Sequence, residues 1–187
     1  PGNNLFAESL VCVDLKTGQR KWHFQYIHHG IWDHDNSSAA MLTDVVKDGK
    51  MIPAVASPSK QGYVYLFNRV TGEPIYPIVE TPVPASDVPG EKAAPTQPIP
   101  MDAHGKPFAY ARAFVNVPDD VIDFTPELRA EALENLKRYR HENSPYVPLI
   151  LGDANGLLGT INIGNTGGGT NWPGGGLDPE LHIFYSQ

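Results

Sequence analysis

The sequence predicts an all-β chain of short strands joined by tight turns. Gly and Pro number 18 each among 187 residues, so about one residue in five interrupts regular structure. Hydrophobic residues make up 41%, enough to build a core. A strand–turn–strand pattern also occurs twice. Residues 9–14 (SLVCVD) read as a buried strand, Asp14-Leu15-Lys16-Thr17-Gly18 as a turn, and Lys21–Tyr26 as the next strand. The second copy runs through Tyr63–Phe67, the turn Asn68-Arg69-Val70-Thr71-Gly72, and a strand starting at Ile75-Tyr76. Asp14 and Asn68, like Gly18 and Gly72, stand 54 residues apart. A repeat of that length is what one propeller blade per repeat produces.

Beyond this region the texture changes. Seven prolines between 77 and 100 exclude regular strands and helices and mark residues 77–118 as a long ordered loop or an excursion. One helix is expected over 125–141, with Thr125 as N-cap, Pro126 at the first helical position and Glu127 in the first turn. Leu128, Ala132, Leu136 and Tyr139 line one face, so the helix is amphipathic and should pack on the strand body. Residues 146–151, 158–163 and 182–186 are further strand candidates, and the Gly-rich run 164–176 reads as a structured turn. That run lacks the G-x-x-x-x-G-K-[ST] pattern of a phosphate loop.

Composition excludes some functions. A net charge of −7 argues against nucleic-acid binding, which needs a basic face. No apolar run reaches the length of a membrane helix. Pro1-Gly2-Asn3-Asn4 lacks the basic and apolar character of a secretion leader. Cys12, in an apolar run, reads as a buried core thiol.

Three places could carry chemistry. His28-His29-Gly30-Ile31-Trp32-Asp33-His34-Asp35 places three His and two Asp in eight residues. It reads as a polar turn, as a transition-metal site, or as a general-base carboxylate beside a hard cation. On extended backbone Asp33 and Asp35 would point to one side. Lys60, before the second blade-like strand, is either a solvated loop lysine or a cation paired with Asp33 and donating to a cofactor oxygen. Asn171-Trp172 is either a turn Asn beside a core Trp or a pair of N–H donors for a flat polar cofactor.

Taken together, VDLKTGQRKWHFQ, HHGIWDHD, SKQGYVYLFNRVTGEP, APTQP at 94–98 and GGGTNWPGGGLDP resemble the dehydrogenases that depend on pyrroloquinoline quinone (PQQ). The likeness is greatest to the membrane-type quinoprotein glucose dehydrogenase branch, which includes quinate and polyol enzymes. It covers residues of about 8–79 and 155–187, while about 100–145 looks like an insertion. The resemblance implies part of an eight-bladed β-propeller, about three blades, with an inserted Pro-rich loop and one amphipathic helix. Blade-like regions would span 1–79 and 146–187, with the insertion at about 80–145.

The implied activity is oxidation of an alcohol or sugar by hydride transfer to PQQ. Asp33 would be the general base and Lys60 a donor to the quinone oxygens. Asn171 and Trp172 would contact the quinone, Asp33 and Asp35 a metal (Ca or Mg, with a lanthanide as an option), and His28 and His29 the substrate. Asp14, Gly18 and Trp22 resemble the family's tryptophan-docking repeat. Gly30 replaces the more usual Asp and leaves the sugar open. The implied setting is the bacterial periplasm, with a quinone or cytochrome acceptor and membrane attachment through absent segments. The quinone-stacking Trp, the vicinal-cysteine disulfide and a further metal carboxylate lie upstream in the family. The chain therefore reads as an inactive fragment prone to self-association. The competing readings are a non-catalytic propeller scaffold and a metal-dependent hydrolase.

Overall fold

The computed structural model describes residues 2–163 and 170–186. The strands are β1 (Ser9–Val13), β2 (Arg20–Gln25), β3 (Met41–Lys47), β4 (Lys50–Pro58), β5 (Val64–Asn68), β6 (Ile78–Pro82), β7 (Thr96–Pro100), β8 (Tyr139–Arg140), β9 (Gly159–Thr160), β10 (Gly175–Asp178) and β11 (Ile183–Ser186), with helix α1 (Pro126–Leu136) before β8. They form an antiparallel β3-β4-β5 sheet and the pairs β1-β2, β6-β7, β10-β11 and β8-β9, the last parallel. Among the described residues no helix is long and apolar enough to cross a membrane.

The two repeat turns share the same side-chain-to-backbone and backbone bonds. Asp14 Oδ1 accepts the N–H groups of Lys16 and Thr17 at 3.1 and 3.0 Å. Asn68 Oδ1 accepts those of Val70 and Thr71 at 2.9 and 3.3 Å. In each, the glycine four residues on donates back at 2.8 Å and has positive φ, +70° for Gly18 and +79° for Gly72. Short polar side chains that bond their own backbone, followed by a residue without Cβ, specify such turns locally.

The turns differ in what surrounds them. The Trp22 indole lies on the second, donating Nε1–H to the Arg69 carbonyl at 3.2 Å. A Cβ on Gly72 would sit 2.6 Å from the ring, while one on Gly18 would meet nothing within 4 Å. Gly72→Ala should therefore cost about 2–3 kcal/mol, from the positive φ plus the clash. Gly18→Ala should cost only about 1 kcal/mol, from φ alone. Denaturant midpoints of the two variants check the difference.

The core lies between β2 and the β4-β5 face. Phe24 stands 4.8 Å from Phe67, and Tyr26 stands 4.9 Å from Tyr65. Tyr26, Ile27, Trp32, Val55, Tyr63, Tyr65, Phe67 and Tyr146 form one buried cluster.

Several expectations need correction. Residues 78–82 and 96–100 are strands despite their prolines. Pro82, Pro98 and Pro100 pair with Thr96, Glu80 and Ile78. These sites alternate with those that exchange ladder hydrogen bonds, so each missing N–H would have pointed away from the partner strand. The helix starts as expected, with Thr125 Oγ1 accepting Leu128 N–H at 3.2 Å. It ends at Leu136, because Tyr139-Arg140 turns to pair with β9, and none of its residues is buried. Residues 146–151 form no strand; Pro148 cannot donate to a ladder, and Tyr146 and Val147 instead enter the core. Of 158–163 only Gly159-Thr160 pairs. The chain bends at Ile75-Tyr76 before β6 begins. Strand β1 exposes Val11 and Val13, and Cys12 is half-buried. Residues 164–169 of the Gly-rich run lie outside the described residues.

Candidate active site

The β4-β5 hairpin closes with Ser59-Lys60-Gln61-Gly62. Gly62 N–H donates to Ser59 O and Ser59 N–H to Tyr63 O, both at 3.0 Å. Hairpin tips are normally solvated. Here Ser59, Lys60 and Gln61 are 1%, 3% and 1% exposed. A nearly buried ammonium needs a partner, and Lys60 Nζ donates to Asp35 Oδ1 at 2.6 Å and to the Asp33 carbonyl at 3.3 Å. One of its three N–H donors is left over.

Sequence spacing suggested that Lys60 pairs with the Asp33 carboxylate; the ion pair is instead with Asp35. Asp33 has φ +57°, in the left-handed region. That breaks the alternation of an extended chain, so extended backbone no longer sets which side the two carboxylates share. Asp33 offers Lys60 its carbonyl and is itself exposed. Among the described residues its carboxylate has neither a hydrogen-bond nor an ion-pair partner.

Below the loop lies an aromatic floor. Trp32 is fully buried, 5.1 Å from Tyr146 edge-on and 6.3 Å from the His34 ring, near-parallel to it. Burial, reinforced by the Lys60 charge, pushes the His34 imidazole down to about 4, so it is neutral at physiological pH. The His34 nitrogens, Trp32 Nε1, Ser59 Oγ and the Gln61 amide are buried without a hydrogen-bond partner among the described residues. This is an unusual density of unsatisfied polar atoms around one lysine.

Asn171 reaches the same loop from the far end of the chain. Its Oδ1 accepts Ser37 Oγ–H at 2.9 Å and its carbonyl accepts Ser38 Oγ–H at 2.7 Å. Its Nδ2 donors have no partner among the described residues. Trp172 donates its backbone N–H to Asn171 Oδ1 at 2.8 Å, while the residue as a whole is 78% exposed. The histidines do not converge. His28 Nδ1 lies 3.0 Å from Gln25 Oε1 and its Nε2 2.9 Å from Glu80 Oε1, while Gln97 brackets its backbone. His29 has φ +39°, and its Nδ1 has no partner among the described residues. Among the described residues no three His, Cys, Asp or Glu side chains group as a metal site, so Asp33 and Asp35 make at most part of a ligand set.

Residues 1–187 match the family model described as glucose/ethanol/alcohol dehydrogenase, beta-propeller domain, of the PQQ class. The chain belongs to this PQQ dehydrogenase family. It is 42% identical over 95 residues to the quinoprotein glucose dehydrogenase of Gluconobacter oxydans (strain 621H), covering 50% of this chain and 12% of that protein. The glycerol dehydrogenase large subunit of the same organism is 40% identical over 100 residues, 52% of this chain and 14% of that protein. A probable quinate dehydrogenase (quinone) of Xanthomonas campestris pv. juglandis is 30% identical over 183 residues, 97% of this chain and 22% of that protein. The chain thus spans between 12% and 22% of the length of these relatives. Within the PQQ dehydrogenase chain, a quinone needs donors for its oxygens. The spare Lys60 proton and the free Asn171 amide have that chemistry, so the residues fit the cofactor.

Sequence reasoning missed Ser37 and Ser38, which bond Asn171, and Tyr110, whose hydroxyl bonds the Ser59 carbonyl and the Thr170 N–H. The polar run Asn36-Ser37-Ser38 directly after HHGIWDHD was a usable signal. Tyr110 had none, since it lies in the stretch of about 100–145 that carries none of the motifs on which the resemblance rests.

Proposed function

We propose that this chain carries one wall of the active site of a PQQ-dependent oxidoreductase acting on a small alcohol, polyol or sugar. The observation that carries the reading is the nearly buried Lys60, held by Asp35 beside an Asp33 whose carboxylate is unengaged. Bound quinone supplies a two-electron acceptor for hydride from the alcohol carbon, and a bound cation supplies polarisation of the quinone carbonyl.

In this reading Asp33 takes the hydroxyl proton of the substrate. Lys60 directs its remaining N–H at a quinone oxygen, where negative charge develops on reduction. Asp35 keeps the ammonium oriented through Oδ1 and leaves Oδ2 for the cation, beside Asp33. A Ca²⁺, Mg²⁺ or lanthanide ion suits such oxygen ligands. Asn171 donates its amide to the quinone, with Trp172 at the rim. His29 faces the substrate, while His28, tied to Glu80 and Gln97, supports that wall. Trp22 on the Asn68–Gly72 turn acts as the docking wedge between blades. The remaining blades, the periplasmic setting, any membrane attachment and the quinone or cytochrome acceptor belong to the parent protein. The isolated chain should be inactive.

The test uses the full-length parent, reconstituted with PQQ and Ca²⁺ and assayed for dye reduction with glucose, glycerol, quinate and simple alcohols. Turnover of at least one is expected. No reduction with any of them overturns the reading.

A further inference from the structure

Tyr110 lies outside every motif of the site, yet one hydroxyl group joins two of its parts. Tyr110 Oη donates to the Ser59 carbonyl at 3.0 Å, on the turn that presents Lys60. It accepts the Thr170 backbone N–H at 3.1 Å, next to Asn171, and also bonds Thr170 Oγ1. A phenol has one proton and two acceptor positions, and these three contacts use all of them.

Backbone pairing delivers Tyr110 there. Val64 N–H donates to Phe108 O and Tyr110 N–H to Gly62 O, both at 2.9 Å. Gly62 makes the approach possible. Its φ is +79°, and a Cβ there would sit 2.4 Å from the Ala111 carbonyl oxygen. The segment 107–111 is therefore a strap across the base of the Lys60 turn.

These contacts complete a ring. Lys60 bonds Asp35, and Ser37 N–H bonds the Asp35 carbonyl at 3.0 Å. Ser37 and Ser38 bond Asn171, Thr170 bonds Tyr110, and Tyr110 returns to Ser59 beside Lys60. Every other link joins groups already named at the site. Tyr110 brings in a separate segment, and its hydroxyl spans the turns bearing Lys60 and Asn171, while Thr170 Oγ1 also bonds Ser186 Oγ on β11.

We propose that Tyr110 is a positioning residue that holds the Asn171 amide in register with the Lys60 ammonium, so that both donors meet one quinone. This rests on reading Lys60 and Asn171 as quinone contacts. Asp35 still holds Lys60 when the phenol is lost, so the defect falls on cofactor affinity and not on the proton-transfer step.

The experiment measures PQQ dissociation constants by quenching of tryptophan fluorescence in the full-length apoprotein, alongside apoprotein melting temperature and kcat at saturating PQQ. Tyr110→Phe should weaken PQQ binding about tenfold, the scale of one or two hydrogen bonds, with kcat and apoprotein melting close to wild type. Thr170→Val removes the Oγ1 contacts to Tyr110 and to Ser186 while keeping the backbone N–H bond to the phenol, and should weaken binding in the same sense; it serves if Tyr110→Phe does not fold. Lys60→Met is the reference. If Lys60→Met weakens binding and the ring variants do not, the positioning role is overturned. A loss of melting temperature in the ring variants without a change in affinity also overturns it. If Lys60→Met leaves affinity unchanged, the underlying site reading fails instead.

Discussion

Asp33→Asn in the full-length protein should lower kcat about 10²–10⁴-fold, the range by which a positioned general base accelerates proton transfer. Stability and quinone affinity should stay near wild type. Asp33 has φ +57°, and Asn accepts that left-handed conformation as readily as Asp. Its carboxylate is exposed and engages no other group among the described residues, so the amide breaks no bond. The contact to Lys60 comes from the Asp33 backbone carbonyl and survives the change. The neighbouring carboxylate behaves differently. Asp35→Asn removes the counter-ion of an ammonium whose residue is only 3% exposed, and should lower stability as well as activity. Dye-reduction kinetics with PQQ titration and a denaturant midpoint separate the two outcomes. Full activity of Asp33→Asn would remove Asp33 from the chemistry.

Trp32→Ala should destabilise the protein by about 3–5 kcal/mol, the cost of deleting a fully buried large aromatic. The indole is 0% exposed and packs edge-on against Tyr146 at 5.1 Å and beside His34 at 6.3 Å. Tyr146 is itself in the core, so the resulting cavity lies between the core and the loop carrying Asp33 and Asp35. Trp32→Phe should cost less than about 1.5 kcal/mol, because it keeps most of the ring volume. The indole N–H has no hydrogen-bond partner among the described residues, so losing it breaks no bond seen there. A denaturant series on both variants checks the ordering. Equal costs would show that the N–H, and not the packing, matters at this position.

Some features were legible because their causes are local. Asp14 and Asn68 bond amides two and three residues ahead, so the paired turns could be read from a few letters. The start of α1 has the same character, an N-cap bonding three residues on. The β3-β4 hairpin carries a local signal that the strand reading passed over. Asp48 and Gly49, at φ +51° and +72°, form the two-residue loop between paired Lys47 and Lys50. The helix end was not legible, since what stops it is a partner strand about twenty residues downstream.

The sequence by itself determined the family and the repeat turns, and it put forward Asp33, Asp35, Lys60 and Asn171 as candidates. Motif identity and Asx-turn chemistry depend only on neighbours along the chain. The tertiary structure decided which carboxylate holds Lys60, because the left-handed backbone at Asp33 broke the alternation that spacing assumed. It decided that β6 and β7 are strands, because register turned every proline's missing donor outward. It also decided that His28 leans on Glu80 and Gln97, 52 and 69 residues away, and that Tyr110 closes a ring with Thr170, 60 residues on. Contacts across such separations leave no periodicity in the sequence; they exist only once the sheets have packed.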